Sequence, residues 1–264
     1  MTAWIERLVA VEAIAEQATR LALSFFDEVA TLEVTAKHPQ DLVSRADVEM
    51  EHFLRDKIET CFPGESVMGE ELGGHASGDC WVLDPIDGTA NFISGSPLWG
   101  VAISYQKEGE AVVGAVAYPA LGYTLSAASG SGLRRNGQHV RRTQHRSHLQ
   151  VVAVGENIHW PPEKLGEIEL KLRKQGWGIA GYRCATIGLG FAAQGLVDGY
   201  LEAHTSLWDI SSGSLLCQEA GLEVQTCGTE HRGGMTVMTG IPSLMSSLNM
   251  AGGTICCTTW PLER

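Results

Sequence analysis

Asp84 and Asp87 stand three residues apart in WVLDPIDGTANF, residues 81–92, split by Pro85 and followed at once by Gly88-Thr89. The apolar run Trp81-Val82-Leu83 reads as a buried strand ending at Asp84. Pro85 fixes a backbone dihedral and has no N–H to donate, so the strand is expected to break there, before Asp87. Gly88 permits close backbone approach or a left-handed conformation. Thr89 adds a hydroxyl, and ANFISG can open a helical turn whose exposed N–H groups attract phosphate. Two ionised carboxylates sharing a site repel, and one takes up a proton unless cations intervene. Magnesium resolves the conflict: it prefers oxygen ligands and is held by a few carboxylates plus substrate phosphate. Two ions roughly 3.5–4 Å apart can stabilise the attacking and leaving oxygens of an in-line displacement.

Such a site needs more acid than this pair. Gly69-Glu70-Glu71 follows the strand-like Ser66-Val67-Met68, and Trp208-Asp209 opens an expected helix. Each has an ordinary reading alone, a solvated glutamate pair and a helix cap. Their occurrence together with DPIDGT makes a metal centre the stronger reading.

The elements that must position these residues follow from periodicity. Trp4, Leu8, Val11, Ala15, Ala18, Ala22 and Phe25 recur at three- and four-residue spacing and predict an amphipathic helix. A second helix is expected over 43–61, with Ala46, Met50, Phe53, Leu54, Ile58 and Cys61 on one face, stopped by Pro63-Gly64. Short strands are expected at 66–69 and 81–84. Trp99, Val101, Ile103 and Tyr105 alternate with small residues, and runs at 110–118 and 123–128 complete an antiparallel meander. Asn136-Gly137 signals a hairpin. Beyond 150 the pattern alternates: a strand at 151–154, a helix carrying Leu165, Ile168 and Leu172, the strand-like WGIA, a small-residue helix at 185–195, the strand VDGYL, a helix at 208–220, and strands near 222–226 and 235–239. Two halves are expected: an α+β half over 1–145 with most of the acidic ligands, and an α/β half over 146–264 with Asp209. A ligand site is expected in the cleft between them.

The bulk properties restrict the function classes. A chain of 264 residues with 44% apolar and 19% charged content can bury a sizeable core. No apolar run reaches the roughly 18 residues of a membrane span. Glutamates interrupt the apolar N-terminal region, which argues against a signal peptide. Seven cysteines without CxxC spacing, Cys256-Cys257 among them, fit a reducing cytoplasmic setting. The net charge of −12 disfavours nucleic-acid binding but admits anionic substrates where cations mediate. The stretch 133–148, with five arginines and three histidines, reads as a solvated hairpin and linker, with a partner or nucleic-acid surface as its alternative, which the lack of interleaved aromatics weakens. GLGFAA at 188–193 fits a dinucleotide-binding pattern loosely, but a tightly packed helix explains its small residues better. His145 and His148 lack further partners at zinc spacing.

In this order, GEE at 69–71, WVLDPIDGTANF and LWDISSGSLLCQEAG at 207–221 resemble the inositol monophosphatase family, over roughly residues 30–240. DLVSRAD at 41–47 resembles the family segment ending in the aspartate that orients the attacking water. The resemblance implies an alternating α/β/α/β/α sandwich, shared with fructose-1,6-bisphosphatase, and a magnesium-dependent, lithium-sensitive phosphomonoesterase with two or three ions. It implies that Glu70, Asp84 and the Ile86 carbonyl hold one ion, that Asp84, Asp87 and Asp209 hold a second, and that Glu70 faces a third. Thr89 paired with Asp47 would activate the water, and the N–H groups of Gly88 and Thr89 would hold phosphate oxygens. Glu202, seven residues before Asp209, and Ala185 would face the substrate. A homodimer is implied as well.

The chain departs from that pattern at Ala90, where inositol enzymes usually carry a second threonine, at Arg183-Cys184-Ala185 in place of a Gly-Ser-Ala turn, and at Ser206. The expected substrate is a small phosphate monoester such as inositol monophosphate. Histidinol phosphate and 3′-phosphoadenosine nucleotides are alternatives within the superfamily, and a non-catalytic role in RNA-synthesis complexes is the alternative outside enzymology.

Overall fold

The computed structural model describes residues 2–31, 34–38, 41–74, 78–143, 150–228 and 234–252. The chain opens with α1 (Thr2–Asp27), which buries Leu8, Val11, Ala15, Ala18 and Ala22 along the stripe that their spacing predicts. The hairpin of β1 (Val34–His38) and β2 (Asp41–Ser44) leads into α2 (Arg45–Cys61). Ala46, Met50, Leu54 and Ile58 of α2 join the same core as α1, while Cys61 ends exposed.

Seven strands then form one sheet, interrupted by the short α3 (Thr89–Ile93). They are β3 (Val67–Gly69), β4 (Cys80–Asp87), β5 (Gly100–Lys107), β6 (Glu110–Tyr118), β7 (Tyr123–Ala128), β8 (Arg134–Arg135) and β9 (Gln138–His139), adjacent in sequence order. β3 and β4 are parallel; every later pair is antiparallel. Asn136 and Gly137, both at positive φ, make the two-residue turn between β8 and β9.

The rest of the chain alternates. β10 (Val151–Val154), α4 (Pro162–Lys174), β11 (Gly178–Ala180), α5 (Ala185–Gln194), β12 (Gly199–Thr205), α6 (Leu207–Glu219), β13 (Glu223–Gly228), β14 (Met235–Gly240) and α7 (Pro242–Gly252) follow one another. Their five strands lie in the order β11-β10-β12-β14-β13, parallel around β10 and antiparallel around β14. The periodicity reading had not marked α7. Its Leu244, Met245 and Leu248 pack with Ile168 and Leu172 of α4 against Val152, Leu201 and Met238.

Three cores fix the layering. Trp81, Leu83, Val101 and Ile103 turn one face of the large sheet to α1 and α2. Val116, Tyr118 and Leu125 turn the other face to Ile187 and Leu189 of α5 and Leu215 of α6, which also meet Tyr200 and Val237 of the small sheet. With α4 and α7 outermost, the layers run α/β/α/β/α, the sandwich the resemblance implies. The middle layer is thin because its helices carry glycine at the contacts. A Cβ on Gly188 would stand 2.4 Å from the Tyr200 ring, and one on Gly190 would stand 2.0 Å from Tyr118 Oη. The small residues of GLGFAA therefore serve helix-to-sheet approach.

Gly190→Ala is expected to drive α5 off the Tyr118 hydroxyl, which donates to the Thr186 carbonyl at 2.7 Å. Overpacking of this kind costs about 1–3 kcal/mol. A urea titration should show a lower midpoint at constant slope; an unchanged midpoint would contradict this account of the layer.

Candidate metal centre

Residues three apart on a regular strand face opposite sides of the sheet. β4 brings Asp84 and Asp87 together by a bulge. Asp84 pairs with Ala102 and Asp87 with Gly100, so β4 advances three residues where β5 advances two. The extra residue restores the phase and turns both carboxylates to one side. The expectation that the strand breaks after Asp84 is thus corrected: it continues to Asp87, with Pro85 inside the irregularity, where no ladder hydrogen bond is lost. β12 has a similar step, pairing Glu202 with Val237 and Thr205 with Met235, with His204 at a φ of 59° between them. It delivers Thr205 and Ser206 to the start of α6.

Asp84, Asp87 and Asp209 converge there, each offering an oxygen within 4.8 Å of the others. Asp84 is 1% exposed, and neither of its oxygens meets a hydrogen-bond donor. A contact between Asp84 and Asp209 is a hydrogen bond only if one of them carries a proton. Burial raises the Asp84 carboxyl well above the usual range, and the charges of Glu70, Asp87 and Asp209 raise it further. Burial and the neighbouring Asp87 push Asp209 up to about 6. Burial also raises Asp87, opposed by the Thr186 donors. A buried cluster of carboxylates in which Asp84 lacks any donor fits a hard divalent cation.

Each carboxylate is aimed by local structure. Asp47 and Asp209 are the third residues of their helices, each closing an S-x-x-D sequence, Ser44–Asp47 and Ser206–Asp209. Asp47 Oδ2 accepts from Ser44 N at 2.8 Å and Ser44 Oγ at 2.6 Å, and its Oδ1 accepts from Thr89 Oγ1 at 3.1 Å. Asp209 Oδ2 accepts from Ser206 N at 2.8 Å and Thr205 Oγ1 at 2.6 Å. These are capping boxes, so one carboxylate oxygen closes a helix end while the residue stays oriented. Asp87 Oδ2 takes the first-turn N–H of Thr186 at 2.5 Å and the Cys184 thiol at 3.1 Å. Gly88, at a φ of 84°, turns the chain from β4 into α3, so that Thr89 Oγ1 lies 3.1 Å from the Ile86 carbonyl as well.

Glu70 follows β3 and lines a cavity of about 440 Å³ together with Asp209, Ala90 and Asn157. Its loop is tied down by the fully buried Glu51 of α2, whose carboxylate accepts from Glu71 N at 2.7 Å and pairs with Arg55 at 2.8 Å. Arg55 in turn donates to the Gly73 carbonyl at 2.5 Å.

The model of the inositol monophosphatase family matches residues 5–262, beyond the reach of the motifs at both ends. The chain belongs to the inositol monophosphatase family. That is a family of phosphoric monoester hydrolases, and the named relatives agree. An inositol-1-monophosphatase of Mesorhizobium japonicum is 34% identical over 203 residues, 74% of this chain and 76% of that protein. A histidinol-phosphatase of Chlorobaculum parvum is 31% identical over 268 residues, 95% of each. The crystal structure of the extragenic suppressor protein SuhB of Bartonella henselae superposes with a TM-score of 0.83 at 26% identity, covering 93% of this chain and 98% of that one.

Among the residues singled out from the family resemblance, Asp84, Asp87 and Asp209 meet in one cluster, the charge of Glu70 acts on Asp84, and Asp47 meets Thr89. Glu202 and Ala185 are buried and do not line the cavity. Glu202 accepts from Tyr200 Oη and, at 3.0 Å, from Nδ2 of Asn157, which does line it. Burial holds Glu202 up to about 7. Sequence reasoning missed Glu51, Asn157, Thr186 and the serine caps; of these only S-x-x-D, at 44–47 and 206–209 and also within α1 at 24–27, was a visible signal. In the basic stretch, Arg134 lies by Glu12, Arg135 stacks on Tyr123, and Arg142 donates to the Ala192 and Val197 carbonyls. Arg146, His145, His148 and Cys256-Cys257 lie outside the described residues.

A carboxylate whose folded-state pKa is raised stabilises the fold while protonated and ceases to as pH rises through that value. With Asp209 raised from 3.8 to about 6, Glu202 from 4.5 to about 7 and Asp84 also raised, the metal-free protein should lose stability as pH rises from about 4 to about 7. The expected loss is on the order of a few kcal/mol, roughly 5–10 °C in Tm. Scanning calorimetry with and without a divalent cation checks this, and the cation should remove the Asp84 and Asp209 share of the decline while leaving that of Glu202. A Tm that rises over this range without metal would contradict it.

Proposed function

We propose that this chain is a magnesium-dependent phosphomonoesterase acting on a small polyol phosphate such as inositol monophosphate. The observation that carries the proposal is Asp84: a buried carboxylate with no donor, clustered with Asp87 and with Asp209, which lines a cavity large enough for a small phosphate ester. Glu70, Asp84, Asp87, Asp209 and the Ile86 carbonyl are assigned to two or three magnesium ions. Bound there, the ions would neutralise the carboxylates, attract the phosphate and acidify a water molecule.

The protein's own part is orientation and proton handling. Thr89 has one hydroxyl hydrogen and two acceptors at 3.1 Å, Asp47 Oδ1 and the Ile86 carbonyl. Donating to Asp47 leaves its oxygen lone pairs free to accept from the attacking water, so that a proton taken up by Thr89 is matched by its own proton passing to Asp47. Burial raises the Asp47 carboxyl, and the Ser44 and Thr89 donors oppose that rise, favouring the ionised form that can accept from Thr89. The N–H groups of Gly88 and Thr89, at the start of α3, are assigned to phosphate oxygens. Glu202 is assigned to substrate recognition through Asn157, and Ala185 to the packing behind it. The water oxygen bonds to phosphorus, the ester P–O bond breaks, the leaving oxygen takes the proton that the water gave up, and the alcohol and inorganic phosphate depart.

Histidinol phosphate is the second reading, favoured by the Chlorobaculum relative that aligns with 95% of each chain. A purely binding role for the basic stretch draws less support, because Arg134, Arg135 and Arg142 are engaged within the fold. The reading extends to a cytoplasmic homodimer inhibited by lithium, on the family resemblance and on the free thiols among the described cysteines.

Purified protein should release phosphate from inositol 1-phosphate only with magnesium, and chelator or Asp87→Asn should abolish turnover. Thr89→Ala should lower kcat about 10²–10⁴-fold, the usual worth of a proton-handling group, and Thr89→Ser should recover most of it. Substrates are ranked by kcat/KM across inositol 1-phosphate, histidinol phosphate and 3′-phosphoadenosine 5′-phosphate. Full turnover by Asp87→Asn would remove the mechanism.

A further inference from the structure

Arg183 is the one lysine or arginine among the described residues lining the acidic cavity, where it shares the wall with Glu70, Glu156 and Asp209. Despite those neighbours, its side chain has no hydrogen bond, ion pair or ring contact with any described residue. Its backbone lies at a φ of 55°, the left-handed region that residues other than glycine adopt at a cost. The flanks hold it there. Asn91 Nδ2 donates to the Tyr182 carbonyl at 2.8 Å, and the Cys184 thiol donates to Asp87 Oδ2 at 3.1 Å. A strained backbone, pinned on both sides and presenting an unengaged guanidinium beside the metal centre, has the character of a ligand clamp.

We propose that Arg183 binds a second acidic group of the substrate, a carboxylate or a further phosphate, while the aspartate cluster receives the phosphate to be cleaved. The inference rests on the phosphatase reading above and narrows its substrate to a phosphate ester with a second acidic group, which 3′-phosphoadenosine 5′-phosphate has and inositol 1-phosphate and histidinol phosphate lack. The guanidinium fork matches either oxyanion bidentately. Without Arg183, a second anion would face Glu70, Glu156 and a chain of net charge −12 with no local cation of fixed charge. Arg183 is exposed on the wall whereas Asp84 and Asp87 are buried, so it is placed for the far end of a substrate rather than for the reacting group. A cavity of about 440 Å³ leaves room for both ends.

The test uses ligands that cannot be hydrolysed: ω-phosphonocarboxylates with two to four methylene groups, each against the alkylphosphonate of equal length. Affinities are measured by calorimetry on the full chain at fixed magnesium. At the best length the carboxylate should bind wild-type protein about tenfold more tightly, which is ~1.4 kcal/mol. Arg183→Gly relieves the backbone strain and removes the guanidinium, so the ratio should fall to about one. Bisphosphonates in place of the carboxylates show which acid is preferred. A wild-type ratio near one at every length, or a ratio that survives in Arg183→Gly, overturns the proposal. Failure of every monoester to release phosphate would sink the phosphatase reading while leaving this ratio measurable.

Discussion

Negative charge crowded into a buried space is the constraint on which the rest of the structure depends. Asp84, Asp87 and Asp209 lie within contact range, Glu70 adds its field, and Asp84 is sealed from both solvent and donors. An ionised carboxylate in such surroundings is costly unless paired or bound to metal. Protonation is the only other relief, and the raised aspartates record the tendency towards it. The fold supports this centre by making every other contact favourable. Two core clusters reach it, one through Ile86 and the other through Cys184, Ala185 and Ile210, and the helices that bring in Asp47, Asp87's donor Thr186 and Asp209 all start at it. Helix N-termini carry partial positive charge, so their convergence offsets part of the repulsion before any ion arrives.

Precision comes from ordinary local structure. A bulge on β4 corrects the facing of Asp87, and the step on β12 feeds the start of α6. Two capping boxes and a helix first turn each take one carboxylate oxygen, which restricts rotation without consuming the whole group. Glu51 does the same for the loop after Glu70 through backbone N–H groups. Substitution at such supporting residues would therefore act on the metal centre without touching it, as outer-shell partners commonly do.

The residues legible in the sequence were those whose chemistry is local. DPIDGT is unusual because its carboxylates, proline and glycine sit within one strand and turn, and Trp208-Asp209 announces a helix start. The small-residue run at 188–193 was read as packing, and Gly188 and Gly190 do meet tyrosine side chains. The layered class followed from the periods of 3.6 and 2 together with the family motifs. What stayed hidden depends on partners distant in sequence. The bulge exists only in register with β5, so a proline read alone suggested a break. Glu51 lies twenty residues before the N–H groups it holds, and a glutamate in mid-helix carries no mark of that duty. Asn157 stands between Glu202 and the cavity because two strands of the small sheet end side by side, which no spacing reveals.

The ordinary and the chemical readings of an aspartate turned out to be compatible. Asp209 caps α6 and belongs to the acidic cluster, and Asp47 caps α2 while receiving Thr89. Because the acids are anchored to helix starts and strand bulges, their geometry is set by the same interactions that hold the sandwich together. The wall facing the substrate is different. Ala90, Glu156, Asn157 and Arg183 come from a short helix and from loops between elements, where side chains can change without disturbing a cap or a core. Relatives named for inositol phosphate and for histidinol phosphate are consistent with that division: a shared acidic floor can remain while the wall changes what it admits.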